Sequence, residues 1–246
     1  MKILRYKKIG LDKYKVYLDD NSNIICYEDV IIKNNLLNID NLDSKLINKI
    51  NSENDYYDAY YKAINYIKSR MRSIYEIRKH LNNKEIAKNI IESVINKLIE
   101  VGYLDDNKFA IAYINTKVNT TEFGPSKIKN GLFKLGVSKD IIEENIALFE
   151  SDTKKEKIKK YINREIKNNR KYGENYLKRK IMDKLLSDGY QFYSIKEILD
   201  DSKIIISSDI LIKQYEKLKK KYDNYKLKNK LYELGFNIDD INKIMQ

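Results

Sequence analysis

One apolar pattern recurs along the chain and limits what it can fold into. Residues 127–137 read Lys127-Ile128-Lys129-Asn130-Gly131-Leu132-Phe133-Lys134-Leu135-Gly136-Val137, and residues 226–236 read Lys226-Leu227-Lys228-Asn229-Lys230-Leu231-Tyr232-Glu233-Leu234-Gly235-Phe236. Ile128 and Leu132, like Leu227 and Leu231, are four apart and share one helix face. A glycine then supplies the left-handed residue that ends a helix, and the next apolar residue folds back. Ile141 and Ile142 follow in one copy, Ile241 and Ile244 in the other, on a further helix. Ile181, Leu185, Gly189 and Tyr190 give a third copy; Ile77 and Leu81 give a fourth, in which no glycine follows.

Adding the helix before each copy gives three-helix units. The expected organisation is a β-hairpin and helical extension at 1–55, then repeats at 56–105, 106–151, 152–201 and 202–246. Units this small cannot bury an apolar face alone, so neighbours must stack. The expected fold is mainly α: tandem three-helix repeats in an elongated, curved array, with a small N-terminal β-hairpin. One proline and eight glycines in 246 residues are too few turn residues for a β-sandwich or barrel.

The hairpin is read from Tyr14, Val16 and Leu18 alternating with Lys13, Lys15 and Tyr17. Asp19-Asp20-Asn21-Ser22 is a turn cluster and Ile24-Ile25-Cys26 the returning strand. A short helix follows near Glu28–Lys33. Residues 36–55 read as a linker with one further helical stretch. Ala87, Ile90, Ile91, Val94, Ile95, Leu98 and Ile99 form a helical apolar stripe closed by Gly102. Ser73 with Glu76, and Ser194 with Glu197, both fit a capping box, and Pro125 fits a helix first turn.

No apolar run reaches the roughly 18 residues of a membrane span, and Met1-Lys2-Ile3-Leu4-Arg5 lacks the apolar core of a signal peptide. The lone Cys26 excludes an internal disulfide framework and reads as a small buried residue. These features point to the cytoplasm.

The net charge of +12 suits a polyanionic partner. Lysine is abundant throughout, so its placement matters more than its number. The middle helices are basic: Arg78 and Lys79; Lys127, Lys129 and Lys134; Lys178, Arg179, Lys180 and Lys184; Lys226, Lys228 and Lys230. Third helices of the last three repeats are acidic, with Asp140, Glu143 and Glu144, then Glu197, Asp200 and Asp201, then Asp239 and Asp240. A helix-turn-helix protein reads the major groove with its last helix, where these carboxylates would face phosphates. The middle-helix stripe is the better partner-binding candidate: Arg78, Lys79, Lys127, Lys129, Lys178, Arg179, Lys180, Lys226 and Lys228, joined by the arginines of Lys68-Ser69-Arg70-Met71-Arg72-Ser73. Guanidinium groups suit two-pronged contacts to carboxylate or phosphate. The competing reading is helix C-capping by Arg70 with a local pair of Glu76 and Arg72 or Lys79.

Catalytic readings fail. His80 is the single histidine, with no second His or Cys for zinc and no triad. The glycines fit helix ends, not a phosphate-cradling loop. Asp105-Asp106 reads as the cap of the next helix. No metal, cofactor or catalytic residue is expected.

Ser69-Arg70-Met71-Arg72-Ser73, Glu76-Ile77, Leu81, Gly102-Tyr103-Leu104-Asp105-Asp106, Phe109-Ala110 and Tyr113 together resemble the junction of the first two repeats in the RecX family. Leu231, Gly235 and Phe236 resemble that family's repeat ending, and the hairpin resembles the extension of many Gram-positive members. The resemblance covers nearly the whole chain. It implies a regulator of the RecA recombinase that lies along the groove of the RecA filament on single-stranded DNA, acts in DNA repair and the SOS response, and has neither cofactor nor catalytic residues. A monomer with weak non-specific DNA binding and no membrane contact fits this picture. The chain departs from the family pattern at Leu81, which no glycine follows, in lysines where the second repeat often has arginines, and in its fourth repeat. The alternative reading is a stand-alone DNA-binding protein with helix-turn-helix-like units.

Overall fold

A computed structural model describes residues 1–39, 41–147, 149 and 151–246. The chain forms two compact units, residues 1–109 with 135–137, and residues 110–134 with 138–246.

The first unit opens with an antiparallel sheet in the order β1-β2-β3: β1 Ile3–Lys8, β2 Lys13–Leu18 and β3 Asn23–Tyr27. The expected hairpin is β2–β3, and β1 adds a third strand. A register shift between Ile3 and Arg5 breaks the alternation that would reveal β1 in the sequence. Val16, Leu18 and Cys26 face inward onto Val30 and Ile31 of α1 (Glu28–Lys33), Leu36, Leu42 and Ile50. Cys26 is buried, which pushes its thiol up.

The stretch expected to be largely linker holds a single 3₁₀ turn, Leu36–Asn38, and then the first half of α2 (Ser44–Ile67). Asp43 caps α2 by accepting from Leu46 N at 2.7 Å. Asparagine and aspartate hide this helix in the sequence, and burial of Ile50 against the sheet stabilises it. Asn54 of α2 also closes the edge of β3. Tyr27 N donates to its Oδ1 at 3.0 Å, and its Nδ2 donates to Ile25 O at 2.7 Å. Those are groups a further strand would otherwise pair with.

The second half of α2 packs with α3 (Ile74–Asn82) and α4 (Lys88–Glu100) around Ala59, Ala63, Ile77, Leu81, Ile91, Val94, Ile95 and Leu98. The apolar stripe on α4 is narrower than the sequence implies, since Ile99 is 43% exposed. Gly102 adopts φ +78°, and Tyr103 N and Leu104 N both return to Leu98 O. Then α5 (Asp106–Thr120) begins, capped by Asp105, whose Oδ1 accepts from Asn107 N and Lys108 N at 2.9 and 3.0 Å.

In the second unit, α6 (Pro125–Lys134) and α7 (Lys139–Ile146) follow α5. The third repeat is α8 (Ser151–Asn168), α9 (Glu174–Ser187) and α10 (Phe192–Asp201), packed around Ile158, Ile162, Leu177, Ile181, Leu185 and Ile195. The fourth is α11 (Ser208–Leu218), α12 (Asn224–Glu233) and α13 (Ile238–Met245), around Leu211, Leu227, Leu231, Phe236 and Ile241. Each third helix starts from an N-cap two residues past the glycine: Ser138, Gln191 and Asn237. This fixed spacing overrules the expected box at Ser194 and Glu197. The Gly189–Tyr190 turn starts α10 at Phe192, so Ser194 lies inside the helix and Gln191 caps it without a side-chain bond.

Candidate functional site

The basic middle helices are positioned by the way each meets the next repeat. At the start of α6, Gly124 N donates to Asp188 O at 2.7 Å and Ser126 N to Gly189 O at 3.1 Å. At the start of α9, Gly173 N donates to Leu234 O at 2.8 Å and Asn175 N to Gly235 O at 3.1 Å. The N–H groups that a helix start leaves free thus meet carbonyls at the end of the following middle helix, head to tail. Gly124 and Gly173 are glycines because a Cβ at either would strike the backbone opposite; at Gly124 it would lie 2.7 Å from Gly189 C and O and Tyr190 N.

The start of α3 makes the same junction with side chains. Ser73 Oγ donates to Leu135 O at 2.6 Å and accepts from Glu76 N at 3.1 Å, while Ser73 N donates to Glu76 Oε2 at 3.2 Å. Asp106 accepts from Ile74 N at 2.9 Å. Burial, with help from the Asp105 and Glu76 carboxylates, raises the Asp106 carboxyl against the opposing pull of Ile74 N–H and Arg78. The sequence marks Asp105-Asp106 as one cap; the structure splits the roles, Asp105 capping α5 and Asp106 serving α3.

Arg70 and Arg72 belong to this junction. Arg70 grips Glu76 with both terminal nitrogens, at 2.5 and 3.2 Å. Arg72, only 11% exposed, donates to Tyr66 O at 3.2 Å and Ser69 Oγ at 2.8 Å, and reaches Glu76 at 3.5 Å. Its guanidinium also lies 3.8 Å from the centre of the Tyr66 ring, which stacks on His80 at 4.1 Å. Burial and the nearby cations Lys84, Arg72 and Lys62 lower the His80 pKa, favouring the neutral ring.

Most of the remaining basic residues are also matched by carboxylates. Arg78 forks onto Glu92 at 2.7 and 2.9 Å, and Lys129, its counterpart in the next repeat, pairs with Glu143 at 2.5 Å. In the first two repeats a third-helix glutamate thus pairs with a middle-helix cation of its own repeat. In the third repeat the corresponding position, five past the N-cap, is Lys196, and Lys178 pairs with Glu174 at 2.6 Å. Lys180 pairs with Glu165 at 2.9 Å and Lys226 with Asp223 at 3.8 Å. Lys127 reaches Asp188 at 3.0 Å, on the side of the junction opposite its own helix, and Lys184 reaches the same carboxylate at 2.8 Å. Asp188 is 2% exposed; burial would raise its carboxyl, but the two lysines outweigh that and hold it below the usual range. Nothing in the sequence singles out Asp188 except its place directly before Gly189.

Among the described residues, Lys79, Arg179 and Lys228 have no carboxylate within ion-pair distance. Arg179 is exposed, 5.2 Å from the centre of the Tyr176 ring. No group of three or more His, Cys, Asp or Glu gathers to hold a metal, and no helix is long and apolar enough to cross a membrane, among the described residues.

Residues 59–98 match the family model for the first three-helix domain of RecX, and residues 105–144 the model for the second. The Regulatory protein RecX of Listeria monocytogenes is 30% identical over 241 residues, covering 94% of this chain and 90% of that protein. The Regulatory protein RecX of Bacillus cytotoxicus is 29% identical over 262 residues, covering 99% and 96%. A crystal structure of regulatory protein RecX superposes with a TM-score of 0.70 at 25% identity, covering 82% of this chain and 99% of that one. The crystal structure of RecX from Lactobacillus salivarius gives 0.58 at 27% identity, covering 61% and 98%.

Proposed function

The chain belongs to the RecX family of regulatory proteins, and from that premise we propose that it binds the RecA filament on single-stranded DNA and modulates RecA in recombination, DNA repair and the SOS response. It acts in this reading as a cytoplasmic monomer, by binding rather than by catalysis and without a cofactor. The observation that carries it is the near full-length likeness to proteins named Regulatory protein RecX.

The filament contact draws first on Lys79, Arg179 and Lys228, which meet no carboxylate among the described residues. Lys226 and Lys178, in pairs within their own helices, add to it at little cost, because exposed pairs of this kind are worth roughly 0.3–0.5 kcal/mol. Arg78, Lys129 and Lys180 must exchange a carboxylate on their own repeat for one on the partner. Lys127, which joins two repeats, and Arg70 and Arg72, which hold the Glu76 of the Ser73 capping box, are the costliest to recruit.

The test compares binding to a single-stranded oligonucleotide, bare and coated with RecA, while RecA ATP hydrolysis is followed in parallel. Tighter binding to the coated strand with an altered hydrolysis rate is expected. Equal or tighter binding to bare DNA, with discrimination between sequences, overturns the proposal in favour of a stand-alone DNA-binding protein.

A further inference from the structure

We propose that the outward face of the N-terminal sheet is a second binding surface, and that its ligand is single-stranded nucleic acid. Strand register sets Arg5 opposite Tyr17, Lys7 opposite Lys15, and Lys15 opposite Ile25, so these five side chains share one face. The opposite face carries Val16 and Cys26 into the core.

The cations here differ from most of those on the middle helices. Among the described residues, Arg5, Lys7 and Lys15 have no carboxylate within ion-pair distance. Arg5 and Lys15 instead flank the Tyr17 ring, 4.2 and 5.4 Å from its centre. The strands supply no acid: Asp12 precedes β2, and Asp19 and Asp20 lie in the β2–β3 turn. Asp58 of α2 holds Lys13 and the Tyr27 hydroxyl at the end of this face.

Two like charges directly opposite on paired strands, as at Lys7 and Lys15, destabilise a sheet. Edge-strand protection accounts for Lys7 and Lys8, because lysines on an exposed edge discourage pairing with another chain. It does not account for Lys15, which is on the central strand. A bound polyanion removes the repulsion. Arg5 and Lys7 stand about 7 Å apart along the strand, and Lys15 about 5 Å across from Lys7. The patch is therefore compact enough to meet neighbouring phosphates of one strand.

The half-exposed Tyr17 ring and Ile25, 51% exposed, add apolar surface among the cations. Unpaired bases pack on such surface, and cations beside aromatic rings are what sequence-tolerant single-strand sites combine. An acidic protein segment has no comparable use for the ring, and a duplex keeps its bases stacked away from it.

The test uses the full chain, no RecA, and a fluorescein-labelled oligo-dT, with anisotropy measured across a salt series. In the triple variant Arg5→Gln, Lys7→Gln, Lys15→Gln, the slope of log affinity against log salt should flatten by about 2, at about 0.7 for each phosphate no longer neutralised. Affinity at low salt should fall at least tenfold. The melting temperature should hold or rise, because the Lys7–Lys15 repulsion is gone. Should the triple variant melt lower, Lys15→Gln alone is read instead, with an expected change in slope of about 0.7. An unchanged slope overturns the proposal, as does tighter wild-type binding to poly-glutamate or to duplex DNA than to oligo-dT. Because RecA is absent, this result is independent of the filament reading.

Discussion

The junction between the first and second repeats is made by side chains, whereas the two that follow are made by backbone. At the first, Ser73 reaches Leu135 O, Glu76 and Asp106 accept from the N–H groups that open α3, and Arg70 and Arg72 hold Glu76. At the others, Gly124 and Gly173 bring the chain close enough for N–H groups to donate straight to the carbonyls of the next turn. These are two solutions to one problem, that of satisfying a helix start pressed against a neighbouring repeat. Side chains allow a polar, charge-bearing motif, which is why the first junction carries the recognisable sequence signature. Backbone contact demands glycine on both sides and leaves little else to read.

Substitutions should break the two kinds of junction by different amounts. Gly173→Val has the largest expected effect, because its side chain would collide with the Gly235–Phe236 backbone, which cannot swing aside. A loss of roughly 3 kcal/mol, at the top of the overpacking range, is expected in urea unfolding. An effect below about 1 kcal/mol would mean that the junction opens easily.

Asp188→Asn comes next, at roughly 2 kcal/mol, since it strips two lysines from a buried acceptor. Acid sharpens the contrast. The Asp188 carboxyl is held below its unfolded value of 3.8, so its stabilisation is complete above that pH and is lost as pH falls through the folded value. The Asp106 carboxyl is raised above 3.8, so its contribution is complete below that pH and is lost as pH rises through the folded value. At pH 7, Asp106→Asn should therefore leave the melting temperature level or higher, while Asp188→Asn lowers it. A fall of equal size in both variants would refute this assignment.

Ser73→Ala should cost about 1 kcal/mol, the usual value of an N-cap. Gly102→Asn should cost least, under about 1 kcal/mol. Gly102 needs its left-handed φ of +78°, which asparagine tolerates, and a Cβ there meets nothing within 4 Å. A large loss at Gly102 would show a neighbour packed against that turn.

The sequence makes Gly136, Gly189 and Gly235 legible as helix ends because left-handed capping is local. Their second role, receiving the preceding middle helix, is not legible, since it joins residues far apart such as Gly124 with Gly189 and Gly173 with Gly235. That role also explains the missing glycine after Leu81. No earlier repeat docks there, and Glu85 makes the left-handed turn at φ +58°. The candidate binding residues are legible as types but not as free charges. Pairing of Arg78 with Glu92, and of Lys129 with Glu143, depends on how each middle helix lies against its third helix. Strand β1 and the first half of α2 are hidden for another reason: a register shift in one and asparagine-rich surface in the other mask elements stabilised by burial against each other.

Amide hydrogen exchange tests the head-to-tail docking of the middle helices most directly. The Gly173 amide sits at a helix start, where an N–H is normally free, yet it donates to Leu234 O. The Asp223 amide holds the matching place on α12 and, among the described residues, donates to no backbone carbonyl. Docking predicts that Gly173, and Gly124 with it, exchanges far more slowly than Asp223, with protection approaching that of the helix interiors. Equal, fast exchange at all three positions would contradict it.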